Sequence, residues 1–178
     1  GQPQMAERTP STNLVLIGMP GVGKSTIGVL LAKALSRAFV DTDVLIQARE
    51  GRRLQDIIDS EGTEAFCALE ERHVRSLHCR NHVIATGGSI VHSPRAMEHL
   101  KAAGRAVHLD LPFDQLAQRI NDLDARGVVM EPGETLRELY DKRLPLYRRY
   151  ADDTVDCSGL NHEGVIAEVI RSAYPPQE

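Results

Sequence analysis

The sequence predicts one α/β domain in which a five-stranded parallel sheet is covered by helices on both faces. Short β-like runs alternate with amphipathic helical stretches, and a strand, a helix and a further strand in succession indicate a parallel pair. Aromatic residues make up only 4% of the chain and Trp is absent. Aliphatic side chains must therefore fill the core, which is typical of parallel strands buried on both faces.

The first half of the chain predicts three strands and the helices between them. Residues 14–17 are apolar throughout, and the next apolar residues recur at the spacing of one helix face. A second strand is expected at residues 38–40 and a third at 82–85. Between these two strands, residues 44–77 predict a helix in two or three pieces, with breaks near Gly51 and Gly62.

The second half continues the alternation. Ser93 and Pro94 predict a helix start, because Ser is a favoured N-cap and Pro suits the first helical position. Gly104 stands where a C-terminal glycine is expected, and Pro145 is expected to kink a long helix. The later elements are a strand, a helix, an irregular stretch, a long helix, a strand and a closing helix, at residues 106–111, 113–120, 121–135, 135–150, 154–157 and 165–173.

Composition narrows the class of protein. A formal net charge of −4 argues against general nucleic-acid binding, which depends on clustered positive charge. Three cysteines without CxxC spacing indicate reduced thiols and a cytoplasmic location. No apolar run reaches the roughly 20 residues that a membrane span needs. We expect a flexible tail at residues 1–12, a single domain at 13–178 that works as a monomer, and no membrane partner.

Residues 18–25 read G-M-P-G-V-G-K-S and fit the phosphate-loop pattern G-x-x-x-x-G-K-[ST], between a predicted strand and a predicted helix. In such a loop, backbone N–H groups surround phosphate oxygens and the helix N-terminus adds positive charge. Lys24 should reach the β- and γ-phosphates of ATP, and the Ser25 hydroxyl should ligate Mg²⁺. The alternative is a glycine-rich turn that binds nothing. The expected nucleotide-binding residues are Gly21, Val22, Gly23, Lys24, Ser25 and Thr26.

Beyond this loop the chain resembles the shikimate kinases, small P-loop enzymes that phosphorylate the 3-hydroxyl of shikimate. The resemblance runs from about residue 13 to residue 173 and implies a three-layer P-loop kinase fold with a lid at about 121–135. It also implies ATP and Mg²⁺ as cofactors, and a role in aromatic amino acid biosynthesis. It depends on Asp41, Thr42, Asp43, Glu61, Gly62, Phe66, Glu70, Gly87, Gly88, Arg126, Lys142, Arg143, Leu146, Tyr147, Arg148 and Arg149.

Two aspartates after the second predicted strand suit phosphoryl transfer, which requires positioning and charge neutralisation. Asp41, at the carboxyl end of a strand that we expect beside the phosphate loop, is placed to hold Mg²⁺ through water. Asp43 points the same way in an extended segment, so it is a candidate to bind the acceptor hydroxyl and take its proton. The alternative is that Asp43 caps the next helix.

Gly87, Gly88 and Arg143 are the other expected acceptor-binding residues. The two glycines end a strand at the edge of the sheet where open α/β folds bind ligands, and their N–H groups are expected to face the acceptor or the γ-phosphate. A plain tight turn is the alternative. The resemblance implies that Arg143 binds the acceptor's carboxylate bidentately. A solvated basic helix that includes Lys142 is the competing interpretation.

The resemblance also implies two arginines near ATP. Arg126 lies in the stretch that matches the family's lid, whose arginine reaches the phosphates when the loop closes. Arg119 matches a residue that packs on adenine, which cation–π stacking makes reasonable. Solvated surface arginines are the alternatives at both positions.

The chain departs from the family at the acceptor site. Cys67 stands where the family has a second carboxylate-binding arginine, and Ser89 breaks a glycine triplet. The lost charge-assisted hydrogen bond is worth roughly 1.5–3 kcal/mol, or about one to two decades of affinity. We expect Cys67 on the wall of the acceptor pocket. Either another basic residue fills the gap, with Arg49, Arg52 and Arg53 nearest in sequence, or the acceptor is not shikimate.

The sequence thus predicts an ATP-dependent kinase of shikimate or a similar polyhydroxylated acid. An alternative is a kinase of another small hydroxylated metabolite, such as a sugar acid, a cyclitol or a hydroxy amino acid. The alternative from another class is a nucleotide-binding module without catalysis.

Overall fold

The computed structural model describes residues 12–122 and 128–176. Five parallel strands form one sheet in the order β2-β3-β1-β4-β5. The central strand consists of apolar side chains flanked by Asn13, and all of its residues are buried, as a sheet covered on both faces requires. The strands are β1 (Asn13–Ile17), β2 (Ala38–Asp41), β3 (His82–Ala85), β4 (Gly104–Asp110) and β5 (Asp153–Asp156).

Eight α-helices lie within the described ranges and confirm the predicted alternation. They are α1 (Lys24–Leu35), α2 (Thr42–Glu50), α3 (Leu54–Glu61), α4 (Thr63–Arg75), α5 (Pro94–Ala102), α6 (Phe113–Asp122), α7 (Leu136–Tyr150) and α8 (His162–Ala173). A 3₁₀ turn at Ile90–His92 precedes α5. None of these described helices combines the length and the apolar character that a bilayer span requires.

The helix boundaries follow the expected signals, with one exception. Gly51 ends α2 at φ 64° and Gly62 separates α3 from α4 at φ 89°, while the Ser93 side chain caps α5. The prediction for Gly104 is wrong, because Ala103 caps α5 and Gly104 begins β4. A Cβ at Gly104 would lie 3.0 Å from the Asn13 and Leu100 carbonyl oxygens, so glycine allows close strand packing there.

The strand order corrects the expectation that β2 lies beside the phosphate loop. β3 separates β2 from β1, since β2 pairs with β3 and β3 pairs with β1. All five strands are parallel, so their carboxyl ends still share one edge. Helix α7 includes Pro145 within its length.

Candidate active site

Lys24 is the first residue of α1 and follows the glycines of the phosphate loop that joins β1 to α1. Gly23 precedes α1 at φ 104°, a left-handed conformation that glycine adopts without strain. The Lys24 ammonium donates hydrogen bonds to the carbonyl oxygens of Gly18 (2.7 Å) and Met19 (2.8 Å), and the residue is buried. Burial lowers the pKa of Lys24 to about 8, although Asp43 opposes that shift. The phosphate loop therefore holds the buried ammonium group of Lys24.

Ser25 and Asp41 form a direct contact between α1 and the end of β2. The Ser25 hydroxyl donates a 2.5 Å hydrogen bond to Asp41 Oδ2. Asp41 Oδ1 accepts the backbone N–H groups of Asp43 (2.9 Å) and Val44 (3.1 Å), so Asp41 is the N-cap of α2. The alternative interpretation of Asp43 as the helix cap is therefore wrong. Asp43 lies in the first turn of α2, and its carboxyl group is not used for capping.

Two buried carboxyl groups converge on Gly87. A Cβ at this glycine would lie 2.5 Å from Asp43 Oδ1 and 2.9 Å from Glu70 Oε2, so no larger residue fits without displacing them. Burial and the neighbouring Asp41 raise the pKa of Asp43 to about 6, against the opposing effect of Lys24. Asp43 is thus mostly ionised at neutral pH.

Glu70 is a buried group to which the sequence analysis assigned no role. Its Oε1 accepts a 2.8 Å hydrogen bond from the Ser89 hydroxyl, while Oε2 has no hydrogen-bond partner among the described residues. Burial and Asp43 raise the pKa of Glu70 to about 8. The signal was present in the sequence, because Phe66, Glu70 and Val74 share the buried stripe of α4. Ser89, which breaks the glycine triplet, holds this carboxyl group.

The glycine turn after β3 is tied to its surroundings. The Gly87 N–H donates to the Thr42 hydroxyl (3.2 Å), so it has a partner within the protein. The Gly88 carbonyl oxygen accepts a 2.6 Å hydrogen bond from the Tyr147 hydroxyl. A Cβ at Gly88 would lie 2.8 Å from Pro20 Cδ and 3.1 Å from Arg143 Nη1. Both glycines thus permit close approach of neighbouring groups.

Arg143 is only 1% exposed. Its Nε donates to His92 Nε2 (3.2 Å) and its Nη2 donates to the Val129 carbonyl oxygen (2.9 Å). Burial and Arg143 lower the pKa of His92 to about 4, so the imidazole is neutral and accepts this bond. The interpretation of Arg143 as part of a solvated basic face is wrong. Within the described part of the chain, this guanidinium forms no ion pair with a carboxylate.

A cavity of about 290 Å³ brings these groups together. Asp41 contacts the lining residue Ser25. Val22 is a buried residue of the loop and is not among the lining residues. Arg119 donates from Nη1 to the Val22 carbonyl oxygen (3.2 Å), so it contacts the phosphate loop. The lining residues are Pro20, Gly21, Gly23, Lys24, Ser25, Thr26, Asp43, Leu54, Phe66, Thr86, Gly87, Gly88, Ser89, Val128, Val129 and Arg143.

Cys67 does not line this cavity, and its place on the wall of the acceptor pocket stays a prediction. It lines an adjoining recess of about 310 Å³ that shares Val129 and Arg143 with the cavity. Burial and the nearby Glu70 raise the pKa of the Cys67 thiol to about 11, so the thiol is neutral. Arg126 lies outside the described residues.

The β2-β3-β1-β4-β5 sheet and the phosphate loop with its lysine define a P-loop kinase. A sequence model of the shikimate kinase family matches residues 20–174. This chain therefore belongs to the shikimate kinase family, whose members are kinases that use ATP.

Individual shikimate kinases are similar to this chain over nearly its whole length. A shikimate kinase from Caldanaerobacter subterraneus is 36% identical over 90% of this chain and 95% of its own length. One from Thiobacillus denitrificans is 40% identical over 86% of this chain and 85% of its own. The solved structure of Acinetobacter baumannii shikimate kinase in complex with shikimate superposes with a TM-score of 0.78, at 28% identity over 95% of this chain and 96% of that one.

Proposed function

We propose that this kinase transfers the γ-phosphate of MgATP to a hydroxyl group of a small hydroxylated carboxylic acid, with shikimate as the first acceptor. The observation that carries the proposal is the cavity that joins Lys24 of the phosphate loop, the Asp43 carboxylate and the buried Arg143 guanidinium. These groups supply a cation for the phosphates, a proton acceptor and an anion-binding group, which are the parts that phosphoryl transfer to an acid requires.

ATP binding is assigned to the phosphate loop. The N–H groups at the start of α1 and the Lys24 ammonium would bind the phosphate oxygens. We also propose that Arg119, which contacts Val22, packs on the adenine of ATP. The other residues assigned to the nucleotide are Gly21, Gly23, Ser25, Thr26 and Arg126.

Ser25 and Asp41 fit a magnesium ion. The hydroxyl and carboxylate oxygens are in direct contact at the start of α1, and hard oxygen donors are what Mg²⁺ prefers. The ion usually keeps several waters and phosphate oxygens, so one hydroxyl and one carboxylate from the protein suffice. When bound, Mg²⁺ would neutralise negative charge on the β- and γ-phosphates.

We assign to Asp43 the role of binding the acceptor hydroxyl and taking its proton. That oxygen attacks the γ-phosphorus, its bond to phosphorus forms as the bond to the ADP oxygen breaks, and its proton passes to the Asp43 carboxylate. The pKa of about 6 suits this role, because the carboxylate is mostly ionised at neutral pH yet more basic than an exposed aspartate. Lys24 and Arg126 would stabilise the charge on the transferring group.

The acceptor's carboxylate is assigned to Arg143. A buried cation whose hydrogen-bond partners are a neutral imidazole and a carbonyl oxygen favours an anionic ligand. The second candidate acceptor is another small hydroxylated metabolite. The neutral thiol at Cys67 favours that candidate, because the family's second guanidinium is missing there.

One copy of the chain, folded as a single domain over residues 13–178, is proposed to form the whole site. A monomer and a cytoplasmic location remain predictions.

The test is a coupled assay of ADP release with shikimate, sugar acids, cyclitols and hydroxy amino acids as acceptors. We expect ADP release that depends on both Mg²⁺ and shikimate, with phosphorylated shikimate as the product. Release that no acceptor stimulates would contradict the kinase assignment and would favour a non-catalytic nucleotide-binding module. Stimulation by a different acceptor alone would replace shikimate and keep the kinase.

A further inference from the structure

Arg143 lines both the cavity and the adjoining recess. An anion that binds this guanidinium from the cavity therefore lies at the boundary with the recess. Val129 is the other residue that the two linings share. The charges of the recess thus act on the same anion.

Lys142 is the second cation of that recess. It precedes Arg143 on α7, and its ammonium donates a 3.0 Å hydrogen bond to Glu134 Oε2. Both Lys142 and Arg143 act electrostatically on the Cys67 thiol, in the direction that lowers its pKa. The two cations therefore lie close enough to the same neutral side chain to act on it electrostatically.

We infer that Lys142 binds the acceptor's carboxylate together with Arg143, across the space beside Cys67. The inference rests on the proposed function, because it concerns the same acceptor. An ammonium has three N–H donors, so Lys142 can keep its bond to Glu134 and still donate to a second carboxylate. Two cations on one carboxylate replace the paired guanidiniums that the sequence lacks.

The arginines nearest to Cys67 in sequence do not occupy this place. Arg49 donates to Ser76 (2.7 Å), and Arg52 forms an ion pair with Glu61 (2.7 Å). Arg53 precedes α3 as its N-cap residue. None of the three lines the cavity or the recess as described. Lys142 is the basic residue that accompanies Arg143 in the recess lining.

The charge balance makes Lys142 decisive for an acidic acceptor. Among the described residues, three carboxylates line the recess, from Glu64, Glu131 and Glu134. Glu131 accepts a 2.7 Å hydrogen bond from the Thr63 hydroxyl, and Glu134 is bonded to Lys142. Removing the ammonium would leave a carboxylate ligand next to three like charges with one guanidinium. Lys142 therefore sets specificity for the charged form of the acceptor.

The experiment compares shikimate with its methyl ester, which keeps the ring and hydroxyls but has no negative charge. In Lys142→Met we expect the KM for shikimate to rise by about tenfold or more, with kcat nearly unchanged and the KM for the ester unaffected. Lys142→Arg should keep most of the preference for shikimate over its methyl ester. Glu134→Gln should lower the KM for shikimate, because it frees Lys142.

The matched control is Arg137→Met, on the same helix. It removes an exposed ion pair with Asp141 away from the recess, and we expect no change in the ratio of the two KM values. A second arm adds Cys67→Arg to Lys142→Met, and the restored cation should recover the preference for shikimate. Equal losses for shikimate and ester in Lys142→Met, or no loss at all, would overturn the inference.

Failure of the proposed function gives a different result. If no acceptor stimulates ADP release, the kinase assignment fails, and the Lys142 inference is then decided by calorimetric binding of shikimate and its ester to the same variants. If turnover occurs only with an acceptor without a carboxylate, the kinase stands and the inference is overturned. If the acceptor is another acid, the acid and its own ester replace the shikimate pair.

Discussion

At the scale of single residues, Lys24 combines burial with charge. Its ammonium is bonded to two carbonyl oxygens of the loop, and nearby apolar residues form the core. We expect Lys24→Ala to lower kcat by orders of magnitude, because the lost cation acts at the transferring phosphate. The fold should remain, as judged by the melting temperature and circular dichroism.

The control for this variant is Lys33→Ala, which removes an exposed lysine from the last turn of the same helix. Its activity should equal that of the wild type. Near-normal turnover in Lys24→Ala would contradict the assignment of the phosphate loop.

Asp43 gives a prediction about pH. As the proton acceptor it must be ionised, and its pKa of about 6 means that the ionised fraction falls as the pH drops through 6. We expect kcat/KM to fall about tenfold per pH unit below that value. Asp43→Asn should lose about 10²–10⁴-fold in turnover at neutral pH, measured by steady-state assays from pH 5 to 8.

Asp56→Asn, in the first turn of the neighbouring helix α3, is the control and should keep the wild-type profile. An unchanged acid limb in Asp43→Asn would mean that another group accepts the proton.

The residues that sequence could predict are those whose chemistry is fixed by local spacing. The loop pattern fixes Lys24 and Ser25 because the backbone geometry that binds phosphate is local to eight residues. Glu70 and His92 were not predicted as site residues, because their perturbed pKa values arise from desolvation and from the charges of Asp43 and Arg143, which are distant in sequence. Ser89 breaks the glycine triplet, and its hydroxyl donates to the Glu70 carboxyl group, a contact that the sequence does not reveal.

At the scale of elements, Asp41 links a strand, a helix and the phosphate loop. It ends β2, caps α2 and accepts the Ser25 hydroxyl. Asp41→Asn should keep the cap, since Asn is equally favoured there, but should raise the Mg²⁺ concentration needed for half-maximal activity. Asp41→Ala should also raise the Mg²⁺ requirement. Because alanine cannot cap α2, this variant should in addition lose about 1 kcal/mol of stability.

Urea unfolding and Mg²⁺ titrations of the two variants separate these effects. Thr135→Ala, which removes the side-chain cap of α7, is the control that costs stability without changing the Mg²⁺ requirement. If Asp41→Asn and the wild type needed the same Mg²⁺ concentration, Asp41 would have only a capping role.

Helix ends were more predictable than strand neighbours. Gly51, Gly62 and Ser93 act through local backbone geometry and capping, and each ends or begins a helix as expected. The pairing of β2 with β3 rather than β1 depends on contacts across more than forty residues of chain. Gly104 was misassigned for the same reason, since the neighbouring strand β1 sets its packing.

At the scale of the whole molecule, the parallel sheet collects the site at one edge. The phosphate loop follows β1, Asp41 ends β2 and the glycine turn follows β3, while α4 and α7 supply Glu70 and Arg143. Bringing two carboxyl groups and two cations into a buried site makes the stability of the fold depend on pH.

The last prediction concerns this dependence. The folded state raises the pKa of Glu70 from its ordinary 4.5 to about 8, so the fold favours the protonated form. The stability that this proton contributes is fully present below pH 4.5 and is lost as the pH rises through 8. Glu70→Gln, which is neutral at every pH, should therefore be more stable than the wild type at pH 8, by an amount on the order of a few kcal/mol, and similar to it at pH 4.5.

The measurement is the free energy of urea unfolding of both proteins between pH 4.5 and 8.5. Burial lowers the pKa values of His92 and His108 to about 4, and the raised pKa of Asp43 also changes stability with pH. The histidine contributions are common to both proteins, so the difference between them isolates Glu70 together with its interaction with Asp43. Glu98→Gln, at an exposed position of α5, should show no such difference. A Glu70→Gln curve parallel to that of the wild type would mean that Glu70 is ionised in the folded protein, with a cation or water beside its free oxygen.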